Sequence, residues 1–173
     1  MDLHNVTVTA CRGAFSRDVY AVNLGDWLSQ QHYMHPNKKA IDCIMPHGEF
    51  GDRTAQSLIM PTGLIQVDID DKVNDWEDWD EIVEAMGRMD SVAYAAISCS
   101  GKGVFCLVNA YDITKCGVEE HAKAAEAALE YIERGFPILE LDEKVSRNLA
   151  SLRFAPFDKG RAYWNLDSKP LLS

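Results

Sequence analysis

An α+β domain with a β-α-β-β-α-β core over residues 64–141 is what this sequence predicts, on three observations. From residue 64 to 71, apolar Ile65, Val67 and Ile69 alternate with Gln66, Asp68 and Asp70. That is the period of two of a strand with one face on a core. Two stretches, about 76–89 and 118–134, repeat apolar residues at the 3.6-residue period of a helix. Between them, two apolar runs flank Cys99-Ser100-Gly101-Lys102, a hairpin signal. In that order the elements give the split βαβ arrangement, ferredoxin-like or RRM-like, with both helices on one sheet face and the other face open.

The length of 173 residues suits one domain with a proper core. It divides into an N-terminal α/β part (1–60), the core (61–141) and a C-terminal segment (142–173). The hydrophobic share of 47% is that of a globular chain. No apolar run approaches the ~20 residues that span a bilayer. Met1-Asp2-Leu3-His4-Asn5 lacks the basic and apolar stretches of a signal peptide. A cytoplasmic chain with no membrane partner is therefore expected. Cysteines 11, 43, 99, 106 and 116 are odd in number and form no Cys-x-x-Cys pair, so reduced, mostly buried thiols are expected and a zinc site is not.

The net charge of −10 argues against a general nucleic-acid binder. The charge is uneven, however. Residues 68–90 hold ten acids and two bases, whereas 143–173 hold six bases and three acids. A local basic groove is compatible with that balance, and any binding there should be weak and salt-sensitive.

In chain order, 6–9 and 19–22 read as short strands, and Asn23 caps a short helix through Trp27 and Leu28. His32 and His35 follow in a polar loop, where a solvated pair is a better reading than a metal site. Residues 41–45 form another strand, and Pro46 to Arg53 reads as loop because Gly and Pro break both periodicities. After the acidic strand, Asp75 caps a helix from Trp76 to about Met89, with Trp76, Trp79, Ile82, Val83, Met86 and Met89 on its core face. Runs 92–98 and 103–108 are the hairpin strands. The second helix ends at Gly135, and Pro137 prevents its resumption. Ile138-Leu139-Glu140-Leu141 reads as the last strand and leads into Asp142.

The chemistry gathers at the acidic strand. Asp68 and Asp70 point the same way, with Cα atoms roughly 6.5–7 Å apart at the rise of a strand. Carboxylates held so close repel unless a cation or proton lies between them. Oxygen-only ligands favour Mg²⁺ or Mn²⁺, which keep positions for water and substrate phosphates. The competing reading is a strand running into a solvated acidic turn. Ser98, Ser100, Gly101, Lys102 and Gly103 could offer backbone N–H groups and a cation to phosphates, or be only a tight hairpin. Arg53 could reach a phosphate from its loop. Asp142, a third carboxylate on the same face, would let two metals share ligands, as in-line nucleotidyl transfer requires.

Gly48-Glu49-Phe50-Gly51-Asp52-Arg53, Thr62 to Asp71, Ser98 to Gly103, and Asp142 through Leu152-Arg153-Phe154-Ala155-Pro156-Phe157-Asp158 to Asn165 form a series over residues 40–165. It resembles the primase-like N-terminal domain of VirE-type proteins from phages and mobile elements, in the archaeo-eukaryotic primase (primase-polymerase) superfamily. That resemblance implies primer synthesis on a single-stranded template, with Asp68, Asp70 and Asp142 as catalytic metal ligands. It implies a nucleoside triphosphate held by the Ser98–Gly103 turn, Arg53 and Arg153, and a helicase or helicase-like region as partner. The family's second motif ends in a His, but Val104 and Phe105 stand there. Ser151 stands where an Arg is expected, next to Arg153. These departures motivate an alternative: a catalytically degenerate module that binds nucleic acid or a replication protein.

Overall fold

The computed structural model describes residues 1–30, 37–112, 118–156 and 161–172, and the architecture is α+β with antiparallel sheets. The N-terminal part holds β1 (Thr7–Cys11), β2 (Val19–Asn23), α1 (Leu24–Ser29), β3 (Cys43–Met45), β4 (Gly48–Phe50) and β5 (Leu58–Pro61). The core holds β6 (Leu64–Asp70), α2 (Trp79–Gly87), β7 (Val92–Ile97), β8 (Gly103–Asn109) and α3 (Val118–Gly135). A five-residue α4 (Glu143–Arg147), β9 (Arg153–Phe154) and β10 (Tyr163–Trp164) follow. One sheet has the order β2-β1-β3-β9, a second β10-β7-β8-β6, and β4 pairs β5.

Three of the expected elements form with nearly the expected bounds, for the expected reasons. Asn23 caps α1, its side chain accepting the Asp26 N–H at 2.9 Å. α2 starts at Trp79 rather than Trp76, because Asp78, not Asp75, accepts the N–H groups of Asp80 and Glu81. The hairpin closes through Gly101 and Gly103, both at positive φ (73° and 99°). At Gly103 a Cβ would stand 2.3 Å from the Ile69 carbonyl oxygen, so only glycine lets β8 approach β6 there.

Three expectations are corrected. The first concerns the open sheet face. Ile65, Val67 and Ile69 do pack against α2 and α3, with Ile82, Met86, Ala128 and Ile132. The opposite face is also covered: Leu64, Tyr94, Phe105 and Leu107 pack against Val8 and Ala10 of β1, Ile44 of β3, and Leu24 and Leu28 of α1. The N-terminal part is thus a second layer over the core sheet, and each large side chain buried between them contributes about 1.5–3 kcal/mol. Along β6 burial relaxes toward the far end, at Asp68 and Asp70.

The second correction is the last strand. Residues 138–141 form no ladder, so the order β7-β8-β6 lacks a fourth member beside β6. The backbone of Glu140 is satisfied by one side chain instead: Asn74 donates to its carbonyl (2.9 Å) and accepts its N–H (2.7 Å). The chain then makes one backbone bond to β6, from the Asp142 N–H to the Asp68 carbonyl (2.9 Å), and turns into α4. The third is the expected loop 46–53, which contains β4; the glycines that suggested a loop sit at its edges.

β10 covers the free edge of β7 because Gly87 at the end of α2 has no side chain; a Cβ there would fall 2.1 Å from the Tyr163 ring. No helix among the described residues is long and apolar enough to cross a membrane. His32, His35 and Cys116, and Phe157, Asp158 and Lys159 of the C-terminal run, lie outside the described residues.

Candidate functional site

The polar row of β6 divides into an enclosed part and an open end. Asp68 is enclosed: its side chain is 17% exposed and faces Arg153, which is 8% exposed. Both Arg153 Nη atoms reach it, Nη2 to Oδ2 at 3.2 Å and Nη1 to Oδ1 at 3.3 Å. Arg153 Nε donates to Gln66 Oε1 (2.9 Å), and the guanidinium lies 4.4 Å from the centroid of the Phe105 ring. Planar, two-pronged pairing of this kind is what Arg geometry favours. Arg153 is therefore not turned outward to a ligand phosphate; it neutralises the first acid of the strand.

The end of the strand is open. Asp70 and Asp142 line one cleft of about 590 Å³, together with Glu140, Lys72, Lys144 and Arg147. Asp142 also caps α4, its Oδ1 accepting the Lys144 N–H at 3.1 Å. Arg147 is engaged with Glu126 and Glu143, whereas Lys72 and Lys144 make no ion pair among the described residues. The cleft thus carries four carboxylates, of Asp70, Glu140, Asp142 and Glu143, beside the ammonium groups of Lys72 and Lys144 and the Arg147 guanidinium. Among the described residues no three of His, Cys, Asp and Glu gather closely enough to hold a metal ion. Asp68 is the member that turns away.

The hairpin does arrive beside Asp70, which is opposite Gly103 in the β6–β8 register. Lys102 extends from it, 73% exposed, with Nζ 3.9 Å from Asp71. Its serines are used by the turn itself: the Ser98 and Ser100 hydroxyls both bond the Lys102 carbonyl, at 3.0 and 3.1 Å. They close the hairpin rather than offer donors to a ligand. Arg53 does not join the site. It bonds the carbonyls of Ala14 and Ser16 (3.0 Å to the latter) and lines a separate cleft with Arg17 and Asp52.

A buried polar cluster behind Asp68 left no signal in the sequence. His47, 1% exposed, donates from Nδ1 to the Leu149 carbonyl and accepts the Gln66 N–H at Nε2, both at 3.1 Å. Burial, and then the neighbouring His121 ring 4.7 Å away, lowers its pKa to about 3. Burial also lowers that of His121, whose Nε2 donates to the Ser146 carbonyl at 3.0 Å. Ser146 donates to the Gln66 carbonyl (2.7 Å), and Gln66 donates to Ser151. Ser151, marked from sequence as a missing arginine, is part of this frame. Nothing in its local pattern identifies a histidine such as His47 as interior; only the folded chain brings residues 47, 66, 121, 146 and 151 together.

An antiparallel α+β domain with an acid-and-lysine cleft at the end of one strand is the class of protein that emerges. Residues 36–148 match the model of the family described as BT4734-like, N-terminal domain, and the chain belongs to that family. No curated protein and no solved structure matches the chain. The family match replaces the likeness to the primase-like domain of VirE-type proteins. With that likeness go the terms that depended on it: primase, replication, nucleotidyltransferase and a mobile-element origin. The residue roles carried over from its motifs lose that support, and what remains rests on geometry.

Proposed function

We propose that the cleft at the end of β6 binds a divalent cation, Mg²⁺ or Mn²⁺, together with a nucleoside triphosphate. One observation carries this reading: Asp70 and Asp142, from a strand end and a helix cap, share a cleft with Lys72 and Lys144. Its volume of about 590 Å³ falls among small-ligand sites. Of the four carboxylates that line the cleft, Asp70 and Asp142 would give one ion two ligands and leave it positions for water and phosphate oxygens. When bound, such an ion would screen the carboxylates from the phosphates. Lys72 and Lys144 in the cleft, with Lys102 from the neighbouring hairpin, would hold the phosphate charge that remains. The strand order β7-β8-β6 with two covering helices supports a ferredoxin-like ancestry for this core, with α4 in place of the last strand.

Thermal melting with Mn²⁺ and a nucleoside triphosphate, on the wild type and on Asp70→Ala, tests the reading. A rise in melting temperature confined to the wild type supports it; no rise in the wild type refutes it.

A further inference from the structure

We propose that Cys11 and Cys43 form a redox-modification site, a thiol pair that a low-molecular-weight disulfide converts into a bridge between β1 and β3. The two residues are Cα partners in the antiparallel β1–β3 register. Their side chains share one cluster, with Met45, Phe50 and Leu149, so both point to the same face. The Cys43 thiol already points at its neighbour, donating to the Cys11 carbonyl with Sγ 3.9 Å away. Directly opposed residues of an antiparallel pair have Cα atoms about 4.5 or 5.5 Å apart, within the ~4.4–6.8 Å span of disulfides. Their Cβ atoms, about 4.5–5.5 Å apart, exceed the usual ~3.8 Å of a bridge. Closing it therefore pulls the strands together, and the product is a strained, readily reduced disulfide rather than a permanent staple.

Position in the ladder provides the access that burial withholds. Both thiols are fully buried and free. Burial raises the pKa of both, that of Cys43 to about 12, while the nearby Arg53 guanidinium opposes the shift at each. Exchange thus proceeds when the ladder opens, and the pair sits where a ladder opens first. Cys11 is the last residue of β1, followed by a turn with Gly13 at φ 92°, and Cys43 is the first of β3. The exchange balances as follows. One thiolate attacks oxidised glutathione, forming a mixed disulfide and releasing one glutathione thiolate, which takes up the proton lost. The second thiol displaces a second glutathione and closes the bridge. On its far side Cys43 pairs with Phe154 and Ile44 with Arg153, so the bridge ties β1 to the strand beside which Arg153 is seated.

Equilibration of the reduced, full chain in glutathione buffers of graded ratio, followed by acid quench, alkylation and peptide mapping, tests this. A Cys11–Cys43 linked peptide two hydrogens lighter than its parts, reversed by dithiothreitol, is the expected result, with Cys99 and Cys106 alkylated as free thiols. Cys43→Ser should abolish the linked peptide, and circular dichroism on the oxidised wild type should stay native. Both thiols alkylated at the most oxidising ratio, or Cys11 bridged to a different cysteine, would overturn the proposal.

Discussion

Asp68 and Asp70 stand two residues apart on the same strand and differ in almost everything that decides what a carboxylate does. Asp68 lies against a buried guanidinium that also holds Gln66 and rests on Phe105. Asp70 faces a cleft with Asp142, Lys72 and Lys144. The contrast comes from the second layer. β9 pairs with β3 and brings Arg153 down onto the middle of β6, while among the described residues no cationic group pairs with Asp70 at the strand's end. Position along one strand has therefore separated a structural acid from an available one.

Removing Arg153 should break the contrast most severely. Arg153→Met takes away one partner of an enclosed ion pair, a change that costs about 3–5 kcal/mol for buried pairs. The lower end applies because Asp68 keeps 17% exposure. Urea denaturation should show that loss, and a double variant with Asp68→Leu should recover part of it.

The second effect is a pH dependence from the frame behind Asp68. His47 has a folded pKa of about 3 against an ordinary value of 6.5. The unfolded chain thus binds the proton more readily, so its contribution is fully present above about pH 6.5 and is lost as pH falls toward 3. His47→Gln should lower stability at pH 7 and flatten its decline between pH 6.5 and 4, measured by urea titrations at several pH values. An unchanged slope would remove His47 as the cause.

At the open end, effects should appear on ligand binding rather than on folding. Asp70→Asn should leave the free energy of unfolding within about 0.5 kcal/mol of the wild type's, as an accessible side chain does. It should abolish the stabilisation from Mn²⁺ with a nucleoside triphosphate, which in the wild type at 100 times the dissociation constant would be about 2.7 kcal/mol. The smallest effect belongs to Lys102→Ala: no change in the unliganded midpoint, and a partial loss of the ligand shift that grows fainter with added salt.

What could be read from the sequence follows the same division. The alternation in 64–70, the 3.6-residue periods of α2 and α3, and the Gly101 and Gly103 turn are local signals, and each yields its element. Ile138-Leu139-Glu140-Leu141 is a short, mostly apolar run that also reads as a strand, yet one distant side chain, Asn74, captures its backbone and leaves it outside the sheet. β9 and β10 have two residues each and exist only through their partners. The placement of Asp70 at the end of β6 and of Lys102 on the hairpin was legible because strand and turn signals are local. The inward turn of Arg153 was not, because an arginine in a basic segment carries no mark of the acid it will meet.

The contact between Gly87 and Tyr163 bears on how the molecule behaves at high concentration. The two residues of β10 pair with the outer side of β7, and the Asn165 N–H adds one bond to the Ala93 carbonyl; the residues of β7 themselves are all buried. A side chain at position 87 would displace the tyrosine ring and lift that short cover. The uncovered β7 would then offer a row of free N–H and C=O groups flanked by Val92, Tyr94 and Ile97, a ready template for strand addition from another molecule. One absent methyl group is thus a safeguard of solubility, and a Gly87→Ala chain should precipitate before it unfolds.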